Sequence, residues 1–507
     1  LNYLLDINII LDYFNESRRE QFPYSIEAFN ICYKHNENIF LSSSSLDNIA
    51  FLKIKELKAD KGYSTKKSKE LIAEIINFLL NRFQIAKTPS YIELDYEDIE
   101  DSQIIASAKA VNAKVITRDK GMLKKYSNIA ITPKDFLESV ENKTANIDFA
   151  NLKKQYFMYQ PELEEAMDKV LNSASYIMGE AVINLERELE EFTGSQYALS
   201  CSSGTDALLL AMMALDIGVG DEVITTPFTF IATAETIAFL GAVPVFVDID
   251  EATYNIDSSL IEEKITPKTK AIMPVSLYGQ PANMDKIQSI ATKHNLKVII
   301  DGAQSFGSTY NGVMDSNLGD ISTTSFFPAK PLGCFGDGGA VFTNDESLYT
   351  KMKSLRVHGQ SRRYHHQYIG IGGRMDSLQC AIVSVKLKHY LQDLALRQEV
   401  AKRYDSILKN KDIILPTIAK ESKSTFAQYS IRVKNRDDAQ AKLKAKGIPT
   451  AVHYPLPLHL QECFEYLGYK RGDFPVSEIV SREIMSLPMN PYVSDEEIDS
   501  VGFVLNE

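Results

Sequence analysis

The segment Ser325-Phe326-Phe327-Pro328-Ala329-Lys330-Pro331-Leu332-Gly333 places one lysine among prolines and glycines, with Gly336-Asp337-Gly338-Gly339 just beyond. No helical face is at hand to solvate Lys330, so an ordinary surface role does not suit it. An amine in such a place can form a Schiff base with a carbonyl compound and afterwards act as general base. Asp301 ends the apolar run KVIID and precedes Gly302-Ala303-Gln304. A carboxylate there can hold a proton on a pyridine nitrogen and make the ring an electron sink, although a turn residue after a strand is the commoner reading. Ser203-Gly204-Thr205-Asp206 follows a strand-like run and opens a helical one. Backbone N–H groups at that N-terminus can hold a phosphate, with the Thr205 hydroxyl as an extra donor. Taken alone, helix capping explains the pattern better. Phe230 in TPFTF can stack on a flat ring, though an isolated Phe is usually core. The ordered set of phosphate cradle, ring stacker, ring-nitrogen acid and Schiff-base lysine is far more specific than any member.

These residues need a scaffold that brings strand ends together. QYALSCSS, EVITTP, VPVFVDID, KAIMPVSL, KVIIDGAQ and GGAVFTND read as strands, and helical stretches such as GTDALLLAMMAL, ATAETIAFLG and MDKIQSIATKHN separate most of them. This alternation predicts a doubly wound α/β domain with a largely parallel sheet, whose ligands sit at the carboxyl ends of the strands. A long helical run, QCAIVSVKLKHYLQDLALRQEVAKRYDSILK, leads into a smaller α+β domain. Before residue 147 the pattern is of another scale. LNYLLDIN and NIFLSSS read as strands, residues 66–83 and SQIIASAKAVN as helices, AKVITRD as a strand, and Pro133 starts a short closing helix. The expected division is therefore 1–140, a linker at 141–146, a large domain at 147–390 and a small one at 391–507.

The chain has 507 residues, 44% hydrophobic and 24% charged, the composition of a globular protein. It contains no apolar run of the ~18 residues that a membrane-spanning helix needs. Asp6 and Asp12 interrupt the first apolar stretch, which argues against a signal peptide, and the expected compartment is the cytoplasm. Five scattered cysteines without a C-x-x-C pair suggest reduced thiols, neither a zinc site nor a disulfide framework. Residues 1–146 hold 20 basic and 21 acidic side chains, so the excess acidity behind the net charge of −12 belongs almost wholly to the rest of the chain. That is not the basic footprint of a general nucleic-acid binder.

Residues 147–507 resemble the DegT/DnrJ/EryC1/StrS family of pyridoxal-phosphate (PLP) dependent sugar aminotransferases. The resemblance is carried by GTDALLLA, TPFTFIATAE, GAVPVFVDID, VSLYGQPA, DGAQSFG, TSFFPAKPLGCFGDGGA, RMDSLQ and AVHYPLPLH. Within the family, VHGQSRRYHHQYIG, AQYSIRV and TAVHYPLPL are similar to 3-aminotransferases acting on UDP-N-acetyl-3-keto-glucosaminuronate. The resemblance implies an aspartate-aminotransferase-like (type I) fold, with Lys330 as Schiff-base lysine and proton shuttle. Asp301 would pair with the pyridine nitrogen, and Gln304 would contact the phenolic side of the cofactor. Gly204, Thr205 and Ser325 would hold the phosphate and Phe230 would stack on the ring. Arg374, His453 and Tyr454 would line the sugar-nucleotide pocket, where a guanidinium can bind a uronate carboxylate bidentately. The implied donor is L-glutamate, the product a 3-amino sugar for surface polysaccharide such as O-antigen, and the assembly a homodimer. The chain departs from the family at Gly372, where an asparagine usually reaches a cofactor phosphate across the dimer. It departs again at Ile300, which replaces an acidic residue. A lost hydrogen bond to a charged phosphate costs ~1.5–3 kcal/mol.

Residues 1–140 resemble a PIN-type nuclease domain through LLDINIILDYF and DSQIIASAKAVNAKVITRDKGML. That resemblance implies Mg²⁺ or Mn²⁺ held by Asp6, Asp47, Asp101 and Asp119, with Asn8 and Glu100 nearby, and RNA as substrate. The bland reading is a structural or interaction module, since Asp and Asn at strand ends are ordinary turn residues. Two further readings of the whole chain stay open at this point. One is a dTDP-3-keto-6-deoxyhexose 3-aminotransferase. The other is a PIN ribonuclease whose C-terminal half serves as a dimerising scaffold.

Overall fold

The computed structural model describes residues 2–15, 22–34, 39–61, 64–87, 89, 99–141, 147–408 and 412–506. They form two compact units, Leu1–Thr144 and Ala145–Glu507.

In the first unit, strands β1 (Asn2–Leu5), β2 (Ile39–Ser42), β3 (Gln84–Ala86), β4 (Ala113–Ile116) and β5 (Ala130–Ile131) make one parallel sheet in the order β3-β2-β1-β4-β5. Side chains alternate across it. Tyr3 and Leu5 pack into one apolar cluster with Ile39, Leu41 and Phe136, whereas Leu4 joins Ile104, Ala108 and Val115 in another. Both faces are covered, as a parallel sheet requires. The edge strands β3 and β5 are too short to leave a periodic signal in the sequence.

The second unit is built on a seven-stranded sheet of β6 (Tyr197–Cys201), β7 (Glu222–Thr225), β8 (Val243–Phe246), β9 (Thr269–Ile272), β10 (Lys297–Asp301) and two later strands. A short hairpin, β11 (Thr309–Tyr310) and β12 (Val313–Met314), intervenes before β13 (Ile321–Ser325) and β14 (Gly339–Thr343) complete it. The order is β6-β14-β13-β10-β9-β7-β8, with β14 antiparallel to both neighbours and the other pairs parallel. The six strands expected from apolar runs are all present. β13, ISTTS, is an addition that hydrophobicity does not reveal. Its polar side chains are buried because Thr323 and Thr324 donate to the carbonyls of Ile300 and Gly302, and Ser322 to that of Asp315. A hydroxyl so satisfied costs little to bury.

Helix Gly204–Ala214 is apolar nearly all round and packs against β13 and β14 inside the main core. Helix Ser377–Ile407 runs 31 residues from the large core to a second one, where Val400 and Tyr404 meet Tyr429, Ile431, Met485 and Leu487. The boundary expected at 390/391 therefore falls inside a continuous helix. The second core surrounds the antiparallel sheet of β17 (Ile413–Ile414), β19 (Tyr429–Val433) and β20 (Ile484–Leu487). Two small pairings accompany it, β15 (Gln360–Arg362) with β16 (His365–His366), and β18 (Ser422–Lys423) with β11. All five cysteines are free thiols, four of them buried. Among the described residues, no helix is long and apolar enough to cross a membrane.

One buried ion pair ties β6 to its flanking helix. The Arg356 guanidinium, 1% exposed, donates to Glu186 Oε1 and to the Ser200 carbonyl at 2.7 Å. Removing one partner of a buried pair leaves the other charge uncompensated. Arg356→Ala is expected to lose ~3–5 kcal/mol of unfolding free energy, measured by urea denaturation, with the loss confined to the transition of the C-terminal unit.

Candidate active site

The parallel strands β6, β7, β10 and β13 carry their C-terminal ends to one edge of the sheet, and the expected residues emerge there. β6 leads into the Ser202–Ser203 turn and helix Gly204–Ala214, whose first acceptor is the Ser203 side chain capping Asp206 N. The N–H groups of Gly204 and Thr205, at the first positions of the helix, have no partner within it. Gly204 is needed for space, since a Cβ there would lie 2.7 Å from Ser325 Cβ. The end of β13 thus packs on the helix N-terminus and brings the Ser325 hydroxyl beside those main-chain donors. Gly339 packs as tightly on the Ser203 backbone, 2.6 Å from where its Cβ would be.

Asp301 ends β10 and is 5% exposed. Its Oδ2 accepts from Thr233 Oγ1 at 2.7 Å and its Oδ1 from Ala303 N at 3.3 Å. Burial pushes its pKa up, against the pull of those donors and of the Lys330 charge. Lys330 is half-buried, and desolvation holds its ammonium below the usual lysine range, with Asp301 opposing. Its loop is closed by Lys330 N to Phe327 O and Cys334 N to Phe326 O, and Gly333 permits the fold-back, a Cβ there meeting Pro328 O at 2.5 Å. Gln304 is fixed at both ends of its amide: Oε1 accepts from Tyr278 N at 2.7 Å and Nε2 donates to Tyr454 Oη at 3.1 Å. Phe230 leaves 54% of its surface exposed, its ring 6.1 Å from that of Tyr454. His453, next to Tyr454, is pushed down to about 4 by burial, assisted by the Lys330 charge.

These groups fit pyridoxal phosphate. A buried carboxylate retains lone pairs for a pyridinium N–H, the N-terminus of helix Gly204–Ala214 offers N–H donors to a phosphate, and an exposed aromatic face and an amine complete the set. The sequence did not single out Thr233, which anchors Asp301, nor Tyr278 and Thr425, which bond the Gln304 side chain and carbonyl. Only the position of Thr233 three residues beyond Phe230 hinted at its role. Arg374 is half-buried and makes no hydrogen bond or ion pair among the described residues, in keeping with a cation kept for a ligand. It lies one residue after Gly373, whose carbonyl accepts from Ser202 N at 3.0 Å. At Gly372, the His358 ring occupies the space beside the missing side chain, 3.1 Å from a built Cβ.

The N-terminal acids are arranged differently. Asp6 and Thr117 lie at the carboxyl ends of the adjacent strands β1 and β4, where the strand order reverses. Buried Asp6 accepts from Thr117 Oγ1 at 2.7 Å and from Asn8 Nδ2 at 3.3 Å, and burial raises its pKa. Asp119 caps the next helix through Met122 N, and Arg118 is held bidentately by buried Asp12. Asp101 lies in helix Ile99–Ala110, while the side chains of Asp47 and Glu100 fall outside the described residues. Among the described residues, no three His, Cys, Asp or Glu side chains converge as metal ligands.

The DegT/DnrJ/EryC1/StrS aminotransferase family matches residues 158–505. A UDP-2-acetamido-2-deoxy-3-oxo-D-glucuronate aminotransferase of Pseudomonas aeruginosa is 49% identical over 352 residues, covering 69% of this chain and 97% of that protein. Among solved structures, a DegT DnrJ EryC1 StrS aminotransferase from Brucella abortus superposes with a TM-score of 0.68 at 38% identity, over 71% of this chain and 98% of that one. NtdA from Bacillus subtilis, with bound cofactor PMP, does so with a TM-score of 0.66 at 27% identity, over 80% and 98%.

The buried imidazole has a consequence for stability. The folded-state pKa of His453 lies below its ordinary 6.5, so its contribution is intact above pH 6.5 and is lost as pH falls towards 4. The melting temperature of the apoprotein is expected to fall through that window, and to fall less in His453→Gln, by scanning calorimetry.

Proposed function

Because the chain belongs to the DegT/DnrJ/EryC1/StrS aminotransferase family, we propose that it transfers the amino group of L-glutamate to the C3 ketone of a nucleotide sugar, UDP-N-acetyl-3-keto-glucosaminuronate. The observation that carries this reading is the pairing of buried Asp301 with desolvated Lys330 beside His453 and Tyr454. The 49% identity to an enzyme of that substrate favours the uronate over a 6-deoxyhexose, and Arg374 offers the cation that a uronate carboxylate needs. The product is a 3-amino nucleotide sugar suited to surface polysaccharide assembly. The active form is a homodimer, and the N-terminal unit is an appended α/β domain.

Pyridoxal phosphate, when bound, supplies an electrophilic carbonyl and an electron-withdrawing ring. Asp301, anchored by Thr233, would accept the ring N–H and keep that nitrogen protonated. The backbone at Gly204 and Thr205, with the Ser325 hydroxyl, would donate to the phosphate. Phe230 would stack on the ring, and Gln304, immobilised by Tyr278 and Tyr454, would contact its phenolic side. Burial increases the neutral fraction of the Lys330 amine, so it can take a proton from the donor's α-carbon and return one to the sugar's C3. His453 and Tyr454 border the sugar and exclude water from that transfer.

Added pyridoxal phosphate is expected to give a visible absorption band that L-glutamate bleaches and that Lys330→Ala lacks. The same substitution should lower turnover by about 10²–10⁴-fold, the worth of a positioned acid–base group. A spectrum without any band at saturating cofactor would sink the reading. Arg374→Ala should reduce kcat/KM for the uronate by about 10- to 100-fold, as loss of a charged hydrogen bond does, and should spare a nucleotide sugar without the carboxylate. Equal loss on both, measured by coupled amino-sugar assay, would favour the 6-deoxyhexose substrate.

A further inference from the structure

Helix Ser377–Ile407 sends a buried amine to the loop that follows Lys330. Lys386 is 3% exposed, donates from Nζ to the Gly333 carbonyl at 2.7 Å, and lies 4.6 Å from the centre of the Phe335 ring. Among the described residues, no carboxylate forms an ion pair with it. Asp393, further along the helix, accepts instead from Tyr159 at 2.9 Å and from Gln155 at 3.4 Å. An ammonium so placed is costly to bury, and an apolar side chain of like length would fill the space without that cost. Packing alone therefore does not account for a lysine here.

What Lys386 holds is main chain just beyond Lys330. That loop is already folded on itself, with Cys334 Sγ donating to Phe326 O at 3.0 Å and to Gly336 O at 3.1 Å. It meets the same helix a second time where Phe335 N donates to Gln379 Oε1 at 2.8 Å. One turn beyond Lys386, Tyr390 Oη donates to the Phe306 carbonyl at 2.6 Å. Phe306 lies in the segment that leads on from Asp301 and Gln304. Side chains four residues apart share a helix face, about 6 Å apart along the axis. A single rigid face thus carries one tie to the Lys330 loop and one to the turn after Asp301.

We propose that Lys386 is a positioning residue that works with Tyr390 to set the distance between the Lys330 loop and the turn after Asp301. A cation suits the task, because a charge-assisted hydrogen bond is stronger than a neutral one and the face of Phe335 attracts it from a second side. Burial pushes Lys386 down to about 8, so most of it keeps its charge at neutral pH. The part that concerns catalysis rests on the function proposed above. There the Lys330 amine serves the donor's α-carbon and the sugar's C3 in turn from one anchored main chain, and a misplacement of about 1 Å can cost about 10²-fold in rate.

The test begins on the full chain without cofactor. Trace acetic anhydride labelling at a series of pH values, read by peptide mass spectrometry, gives the titration of the Lys330 amine. Lys386→Met removes the charge and the donor but keeps the length of the side chain. Desolvation is the larger influence on Lys330, so loosening its loop should move that titration upwards, towards the usual lysine range. Tyr390→Phe, which frees the other tie, should move it the same way and serves as the second variant should Lys386→Met fail to fold. In turnover, Lys386→Met should lower kcat about 10- to 100-fold with little change in KM for the nucleotide sugar, and Lys386→Arg should recover most of the loss. A Lys330 titration unmoved in both variants overturns the proposal, as does a loss of kcat that Lys386→Arg fails to recover. The labelling is read without cofactor, so a shifted titration in a chain that gives no visible band with pyridoxal phosphate would support this inference while sinking the functional reading.

Discussion

A carboxylate buried at the end of a central strand governs the C-terminal unit. Asp301 sits 5% exposed between β9 and β13, in surroundings that penalise its charge. Burial of that kind is tolerated only with compensation. Part of it comes from within the chain, through the Thr233 hydroxyl, the Ala303 N–H and the charge on Lys330. The remainder suits a bound pyridinium. The same low-polarity surroundings that raise Asp301 hold down Lys330 and His453, so one constraint shifts all three groups towards their neutral forms.

Placing those groups requires close approaches that only small or hydroxyl-bearing residues allow. Gly204 against Ser325, Gly339 against Ser203 and Gly333 against Pro328 each lie within about 2.5–2.7 Å of where a Cβ would be. Bulkier residues there would displace the strand ends that the site uses. The hydroxyl-rich strand β13 belongs to the same economy of space. Its serine and threonines bond carbonyls of β10 and the following turns, and thereby fix the depth of Asp301. On the other side, His453 and Tyr454 come from the segment beside β20, so the second core is joined to the site through Gln304 and Tyr278. The continuous helix Ser377–Ile407 carries both cores on one rod.

The first unit shows the same principle at smaller scale and with a different outcome. Its strand order also brings an acid, Asp6, to a topological switch point. Its described neighbours are a threonine and an asparagine rather than converging acids, while Asp119 and Asp12 are engaged by a helix cap and by Arg118. Whether acids converge is a matter of tertiary placement.

Much of the candidate site was legible because the chemistry proposed for it needs unusual local sequence. A lysine among prolines and glycines, an acid closing an apolar strand and a Ser-Gly-Thr helix opening all stand out in one dimension, and apolar runs located six of the seven strands of the large sheet. β13 escaped because its burial is supported by hydroxyl-to-carbonyl bonds that no hydropathy pattern records. The expected domain edge at 390/391 lies within a helix that passes between two cores without any change of composition. Thr233, Tyr278 and Thr425 were invisible for a related reason. Each is an ordinary residue type whose role arises from a partner 26 to 121 positions away along the chain. Residue types and spacing thus determined which reactive groups this chain possesses. The crossing of distant strands decided how those groups are buried and bonded, because partners far apart in the sequence meet only in the fold.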